Sequence, residues 1–216
     1  MNLIYLFFFI LILPLSGQDD LLDILEDASS KPVIVESSFK GTRVVNAQSL
    51  ELPRPKILQF MIQHRFGSIE NGFYDLFGMD YATIRFDFHY GLTERLSFGV
   101  GRSSLDKIYD VFVKSKLLRQ STGPRSFPFS VLLYSDIGID TKRKSENDPA
   151  VKDEYLNRLL YVNQLIIGRK FNRSLSMEIL PTLIHRNLVP TNKDDHDLAS
   201  VGIAGRYKLS NRISVN

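Results

Sequence analysis

Long segments of alternating apolar and polar residues constrain the fold of this chain most strongly. Residues 82–101, ATIRFDFHYGLTERLSFGVG, show the pattern on both sides of a short turn, for example at Ile84, Arg85, Phe86 and Asp87. Side chains of a β-strand point alternately to its two faces, so the pattern predicts a hairpin with one apolar and one polar face. Either a protein core or lipid must then cover the apolar face.

The same period of two recurs from Lys56 to the end of the chain. It is found in residues 56–66, 82–90, 96–101, 106–118, 129–140, 155–168, 175–186 and 199–207, and the final ISVN begins a ninth segment. These segments predict an all-β fold, an antiparallel up-and-down transmembrane β-barrel with about nine strands present. Residues 155–168 are apolar on both faces, so their register stays open.

The connections between the segments differ in length. Three tight turns share one pattern: GLTERLS (91–97), KFNRSLS (170–176) and KLSNRIS (208–214). A longer turn at 119–127 lies where the spacing of these turns predicts a fourth copy. Most alternate connections are long and polar or acidic, at 67–81, 141–154 and 187–197. Short turns at one end and long loops at the other are typical of outer-membrane barrels. A soluble secreted β-sandwich with its charged face in water is the alternative.

Charged residues of both signs lie on the polar face in mid-strand. A dry core would not accept so many charges, so this face must be wet or internally paired. We therefore expect the apolar face to meet lipid and the following residues to line the lumen: Arg85, Asp87, Asp110, Lys114, Lys116, Asp136, Glu178 and Arg206. Small inward residues at Gly99 and Gly101 would relieve crowding in a narrow barrel or let a plug approach.

The N-terminus predicts export. An apolar run from Leu3 to Leu13 precedes small residues, and it is about half as long as the roughly 20 residues of a membrane-spanning helix. We assign residues 1–17 to a signal peptide, 18–38 to a linker and 39–216 to the barrel domain, with a possible plug segment at 39–55. No other stretch suits a transmembrane helix, so membrane insertion would occur through strands.

No motif for catalysis, a cofactor or a metal emerges. The chain has no cysteine, and the G-x-S-x-G, H-E-x-x-H and P-loop patterns are absent. His64 and His185 fall on the apolar face at strand ends, as interfacial residues do, and His89 shares the polar face with charged residues. His196 lies in the acidic loop NKDDHD, which lacks EF-hand spacing. We expect no enzyme activity and no cofactor, and the small, dispersed net charge of +3 argues against nucleic acid.

Several stretches are similar to a known family: FKGTRVVN, IQHRFG, DYATIRFDFHYGLTERLSFGVGRS, KLLRQSTG, HRNLVPT and GRYKL. From about residue 37 to its end, the chain resembles a Bacteroidota outer-membrane β-barrel family classed as a domain of unknown function. The resemblance implies a signal-bearing barrel with no assigned substrate or catalytic residue. The chain stops inside a strand at RISVN, where relatives continue, so we expect a C-terminal truncation and a complete barrel of about 10 to 12 strands.

These patterns favour an outer-membrane barrel of unassigned substrate, either a narrow pore or a transport-related barrel. Rings of mixed charge would then set its selectivity for a small polar solute or ion. Two membrane alternatives stay open: a non-conducting barrel that is structural or displays its loops for binding, and a barrel-rim hydrolase. Outer-membrane lipid is the expected partner in each, and the sequence does not indicate the oligomeric state.

Overall fold

The computed structural model describes residues 32–142, 155–189 and 193–216. Nine strands form one antiparallel sheet and follow one another in chain order: β4 (Leu58–Arg65), β5 (Thr83–Gly91), β6 (Leu96–Ser103), β7 (Ile108–Leu118), β9 (Ser130–Asp140), β10 (Leu159–Lys170), β11 (Leu175–Arg186), β12 (Asp197–Lys208) and β13 (Ser214–Val215). Two short pairs lie outside this sheet: β1 (Val33–Ile34) with β8 (Ser121–Thr122), and β2 (Arg43–Val44) with β3 (Ala47–Gln48).

The single meander confirms the predicted all-β, up-and-down organisation with nine strands. A sandwich would instead have divided the long strands between two packed sheets. β4 and β13 are the edge strands, and within the described residues no pairing joins them. The described part of the chain contains no helix with the length and apolar character needed to cross a membrane.

Apolar side chains of the sheet are exposed on its outer face, and charged side chains are buried on its inner face, which is the reverse of a soluble protein. On the outer face Val201 is 72% exposed and Ile203 is 74% exposed, whereas on the inner face Lys114 is 0% exposed. The part of the chain that precedes β4 covers the inner face. It forms hydrogen bonds to strands in both halves of the sheet, from β4 and β7 to β10 and β11. The strands therefore curve around this part of the chain, with polar groups inside and apolar side chains outside.

Strand β10, whose register the sequence left open, has its even-numbered residues on the inner face. Ile166 and Gly168 are buried, and Leu165 and Ile167 are more accessible. Both faces of β10 are apolar because its inner face packs into a hydrophobic cluster rather than into the charged part of the interior.

The three similar turns fold in the same way. In each, two consecutive amide groups donate to the carbonyl oxygen of a residue at the start of the next strand or directly before it: Leu92 and Thr93 to Leu96, Phe171 and Asn172 to Leu175, and Leu209 and Ser210 to Ile213. A side-chain oxygen of the second residue then accepts two backbone amides, at Thr93, Asn172 and Ser210. The repeated sequence pattern thus encodes a repeated turn, as side chains of this type do in short loops.

The fourth connection at this end, between β7 and β9, is different because the N-terminal part of the described chain pairs with it. It contains β8, which pairs with β1 through Val33 opposite Thr122 and Ile34 opposite Ser121. Residues 33–38, which the sequence placed in a linker, are therefore part of the fold. Residues 1–17 and most of 18–38 lie outside the described residues.

The opposite end of the sheet has the longer connections. Gly72–Tyr81 forms two short 3-10 turns separated by a kink, and Leu76 and Phe77 within it have positive φ angles. A 3-10 turn at Tyr155–Arg158 leads into β10. Residues 143–154 and 190–192 of the other two long loops lie outside the described residues.

Candidate functional site: the polar interior

The interior is occupied by residues 35–55, which we call the inserted segment. It enters at the end with the tight turns, where the Lys170 Nζ donates to the carbonyl oxygens of Glu36 (2.9 Å) and Ser37 (3.1 Å). It leaves at the same end, where Lys56 N donates to Gly91 O at 2.7 Å. Between these points the β2–β3 hairpin extends toward the loop end. There Asn46 accepts a hydrogen bond from the Arg65 side chain at 3.2 Å.

Lys114 of β7 is the principal contact between the sheet and this segment. Its fully buried ammonium group donates to the carbonyl oxygens of Thr42 (3.1 Å), Ser49 (2.8 Å) and Glu51 (2.9 Å). Three hydrogen bonds are the number that an ammonium group can donate. Lys114 therefore holds both arms of the inserted hairpin through backbone atoms.

A network of charges centred on Asp87 of β5 lies farther along the interior. The Asp87 carboxylate accepts hydrogen bonds from Arg43 of the inserted segment (3.2 Å) and from Gln63 of β4 (2.6 Å). Arg85 forms a two-pronged ion pair with Asp110 of β7. Burial lowers the pKa of Arg43 below its ordinary value, and the Asp87 carboxylate opposes that shift. The charges of Arg85, Asp87 and Asp110 are thus paired in this part of the interior, which is one of the two alternatives, wet or internally paired, that the sequence left open.

The other side of the interior is largely apolar. Phe39, Val44 and Leu50 of the inserted segment form a buried cluster with inner-face residues of four strands: Phe112, Leu132, Tyr134, Ile166 and Leu180. Glu178 of β11 is buried beside this cluster, and its carboxylate accepts a hydrogen bond from Leu50 N at 3.3 Å. The segment is therefore held by ionic contacts on one side and by hydrophobic packing on the other.

The eight residues predicted to line a lumen all belong to the strands of the sheet. Asp87, Asp110, Lys114 and Glu178 are buried on the inner face. The remaining four are partly accessible: Arg85, Lys116, Asp136 and Arg206. Asp136 accepts a hydrogen bond from the Tyr134 hydroxyl at 2.5 Å. Whether these residues border a conducting passage stays a prediction.

Inward glycines admit neighbouring groups at close range. A Cβ atom on Gly99 would overlap the ring of Phe112, and one on Gly101 would lie 2.8 Å from the Asp110 carboxylate. The approach of the inserted segment depends on two other glycines that the sequence did not indicate. A Cβ on Gly168 would lie 2.7 Å from Leu50, and one on Gly91 would lie 2.6 Å from Pro53 O.

The histidines take part in local hydrogen bonds. His89 is buried, and its Nε2 lies 2.8 Å from the Ser97 hydroxyl. His185 Nδ1 lies 2.7 Å from Asp197, and His196 Nδ1 lies 2.7 Å from Arg186 O. Within the described residues, no group of three or more metal-ligating side chains comes together.

Sequence reasoning missed several residues that hold the segment. Lys170 and Gln120 are examples: the Gln120 amide bonds to both backbone groups of Lys170, and Gln120 O accepts from Val35 N. Both residues lie near turns, where polar residues are common, so the sequence gives no signal for this role. The inner apolar cluster did leave a signal, since Leu132 and Leu180 stand beside another apolar residue and interrupt the alternation.

Residues 39–216 match the family model described as "Membrane bound beta barrel domain (DUF5777)", a domain of unknown function. No curated protein and no solved structure matched the chain. The match begins inside the inserted segment and includes every strand from β4 to β13. The chain therefore belongs to the family of membrane-bound β-barrel domains that this model describes.

Proposed function

We propose that this domain is a transport-related outer-membrane barrel whose narrow polar passage is closed at rest by the inserted segment. The chain would reach the outer membrane by export, with residues 1–17 as the signal peptide. Its cargo would be an ion or a small polar solute, selected by the mixed charges of the inner face.

The observation that carries this proposal is the way in which Lys114 holds the segment. Lys114 is fully buried, yet its three acceptors are carbonyl oxygens of the inserted segment rather than groups of the sheet. The ammonium group and the carbonyl oxygens can form hydrogen bonds to water instead of to each other. Withdrawal of the segment would therefore leave an inner face that water can hydrate. The neighbouring Arg85–Asp110 pair lies within the sheet and would keep that wall charged.

A non-conducting barrel is the second candidate, and the hydrophobic cluster favours it. Leu50 is 1% exposed and packs with Leu180 and Ile166 on the far side of the interior. Burial of a leucine side chain contributes about 1.5–3 kcal/mol. If these contacts keep the segment in place permanently, the domain would act as a structural barrel or display its long loops for binding.

Planar-bilayer conductance of the full-length protein distinguishes the two candidates. We expect rare openings for the unmodified protein and more frequent openings for Lys114→Met, because the segment is then less firmly held. Heat-modifiable gel mobility verifies that each variant keeps its folded barrel. No current from a folded Lys114→Met barrel at any salt concentration would exclude conduction and leave the non-conducting barrel.

A cross-link tests whether the segment is the closing element. The chain has no cysteine, so the double variant Asn46→Cys/Arg65→Cys offers one defined pair at the hairpin tip. A short thiol-reactive cross-linker on this pair in the Lys114→Met background should abolish the openings. Openings that persist after complete cross-linking would show that the passage, if present, does not depend on movement of the segment.

A further inference from the structure

A groove of about 470 Å³ lies on the outer, lipid-facing surface of the sheet. The register places its walls in two rows across β5, β6, β7 and β9. One row contains Phe88, Val100, Val111 and Ile137, and the next row toward the loop end contains Phe86, Arg102, Tyr109 and Ile139. The small valines form the floor, and larger side chains flank them on both sides.

Arg102 is a charged residue on an otherwise apolar part of this surface. Its Nε donates to the Tyr109 hydroxyl at 3.0 Å, and its guanidinium carbon lies 5.4 Å from the centre of the Tyr109 ring. Among the described residues no carboxylate forms an ion pair with Arg102, whereas the inward-facing Arg85 has Asp110 as its partner. The terminal guanidinium nitrogens of Arg102 are therefore available to bind an anion.

The short connection between β6 and β7 at the loop end contains charges of both signs, and Asp106 within it forms an ion pair with Lys142 at 3.2 Å. Lys107 is exposed in the short connection between β6 and β7, and its carbonyl oxygen is bonded to the Thr141 hydroxyl at 2.6 Å. Lys107 directly precedes β7, two residues before Tyr109, and Arg102 is the cation that lines the groove itself.

We propose that this groove binds an anionic phospholipid, with one acyl chain on the valine floor and the phosphate on Arg102. The choline cation of a zwitterionic headgroup compensates the phosphate charge and would weaken this contact. An apolar groove that opens onto lipid accepts an acyl chain without loss of hydrogen bonds. A planar guanidinium group, unlike an ammonium, binds two phosphate oxygens at once. The site belongs to the membrane-facing surface, so it does not depend on whether the interior conducts.

A second outward-facing arginine provides an internal comparison. Arg169 of β10 lies between aromatic rings near the tight turns, 5.8 Å from the centre of Phe129 and 5.3 Å from that of Phe171. It does not line the groove. An outward arginine without a groove should contact lipid without selecting a particular lipid.

Brominated-lipid quenching of tryptophan fluorescence tests the proposal in the full chain. The protein has no tryptophan, so Phe86→Trp creates a single probe in the groove, and Phe129→Trp creates a matched probe beside Arg169. Each protein is reconstituted with brominated phosphatidylglycerol or brominated phosphatidylcholine in unlabelled phosphatidylcholine. We expect the groove probe to favour phosphatidylglycerol about fivefold, because the guanidinium group of Arg102 binds the headgroup directly while the groove holds the acyl chain. The control probe, whose arginine has no groove beside it, should show a ratio near one.

Variants then assign the preference to Arg102. In the Phe86→Trp protein, Arg102→Gln should reduce the ratio to near one, Arg102→Lys should keep part of it, and Arg169→Gln should leave it unchanged. Val100→Phe fills the floor and should lower quenching by both lipids at this probe, which tests the acyl-chain part separately. A ratio that Arg102→Gln leaves unaltered, or one that excess inorganic phosphate removes, would overturn the assignment to a lipid.

Discussion

Replacing Lys114 with methionine perturbs the best-defined contact between the inserted segment and the sheet. Methionine keeps most of the length of the side chain and removes the ammonium group. Thr42 O retains a second donor, Ser49 N at 3.1 Å, so it stays bonded. The carbonyl oxygens of Ser49 and Glu51 lose the donor that the described residues provide to them.

The expected cost follows from these two carbonyl groups. A buried acceptor without a partner costs about 2 kcal/mol, which gives about 4 kcal/mol for the pair. Removal of a buried charge offsets part of this, because the ammonium group no longer has to be desolvated. We therefore expect docking of the segment to weaken by about 3 kcal/mol, which corresponds to about a hundredfold larger undocked population.

Hydrogen exchange measured by mass spectrometry on the detergent-solubilised protein detects this change directly. Amides of the segment that are bonded in the interior, such as those of Phe39 and Leu50, should exchange about a hundredfold faster, while those of β9 and β11 stay protected. Lys116→Met is the matched control, because Lys116 lies on the same strand and its ammonium group forms no hydrogen bond with the described residues. Equal exchange in the Lys114 and Lys116 variants would refute the reasoning.

Two further predictions concern the tight turns and the inward glycines. Asn172→Ala removes the acceptor of the amides of Ser174 and Leu175, both at 2.8 Å, and should lower stability by about 1–2 kcal/mol in a urea titration, whereas Asn172→Asp keeps the acceptor and should behave like the parent. An Asp variant as unstable as the Ala variant would contradict this account. Gly168→Ala places a Cβ 2.7 Å from Leu50 and should cost about 1–3 kcal/mol, visible as faster proteolysis of the inserted segment. Gly205→Ala, whose nearest contact is 3.5 Å, should leave proteolysis unchanged, and equal effects of the two substitutions would refute the packing argument.

Much of the architecture was predictable because it depends on local chemistry. Alternation along each strand decides which side chains share a face, so the outer position of Phe88 and the inner position of Asp87 follow from sequence parity. The repeated turns were equally readable, since Thr93, Asn172 and Ser210 bond to amides only two and three residues away. A contact over so few residues leaves a pattern that a single sequence displays.

The partners of the inward residues could not be predicted in the same way. Lys114 and Glu51 are 63 residues apart, and Glu178 and Leu50 are 128 residues apart, so nothing local relates them. The alternation of side chains along β7 places Lys114 on the inner face. It does not determine whether the ammonium group contacts water, another charge or a carbonyl oxygen. That choice arises only when the inserted segment enters the curved sheet.

The nine strands of the sheet, their order as a meander, the tight turns and the two faces were predictable, because each depends on residues close together in the chain. The tertiary structure alone decided what fills the interior. It pairs Lys114 with backbone carbonyls of the segment, assigns the inner face of β10 to the hydrophobic cluster, and brings β1 to the connection between β7 and β9. These outcomes depend on curvature and on long-range burial, in which charged and apolar groups from distant parts of the chain must satisfy one another in one confined volume.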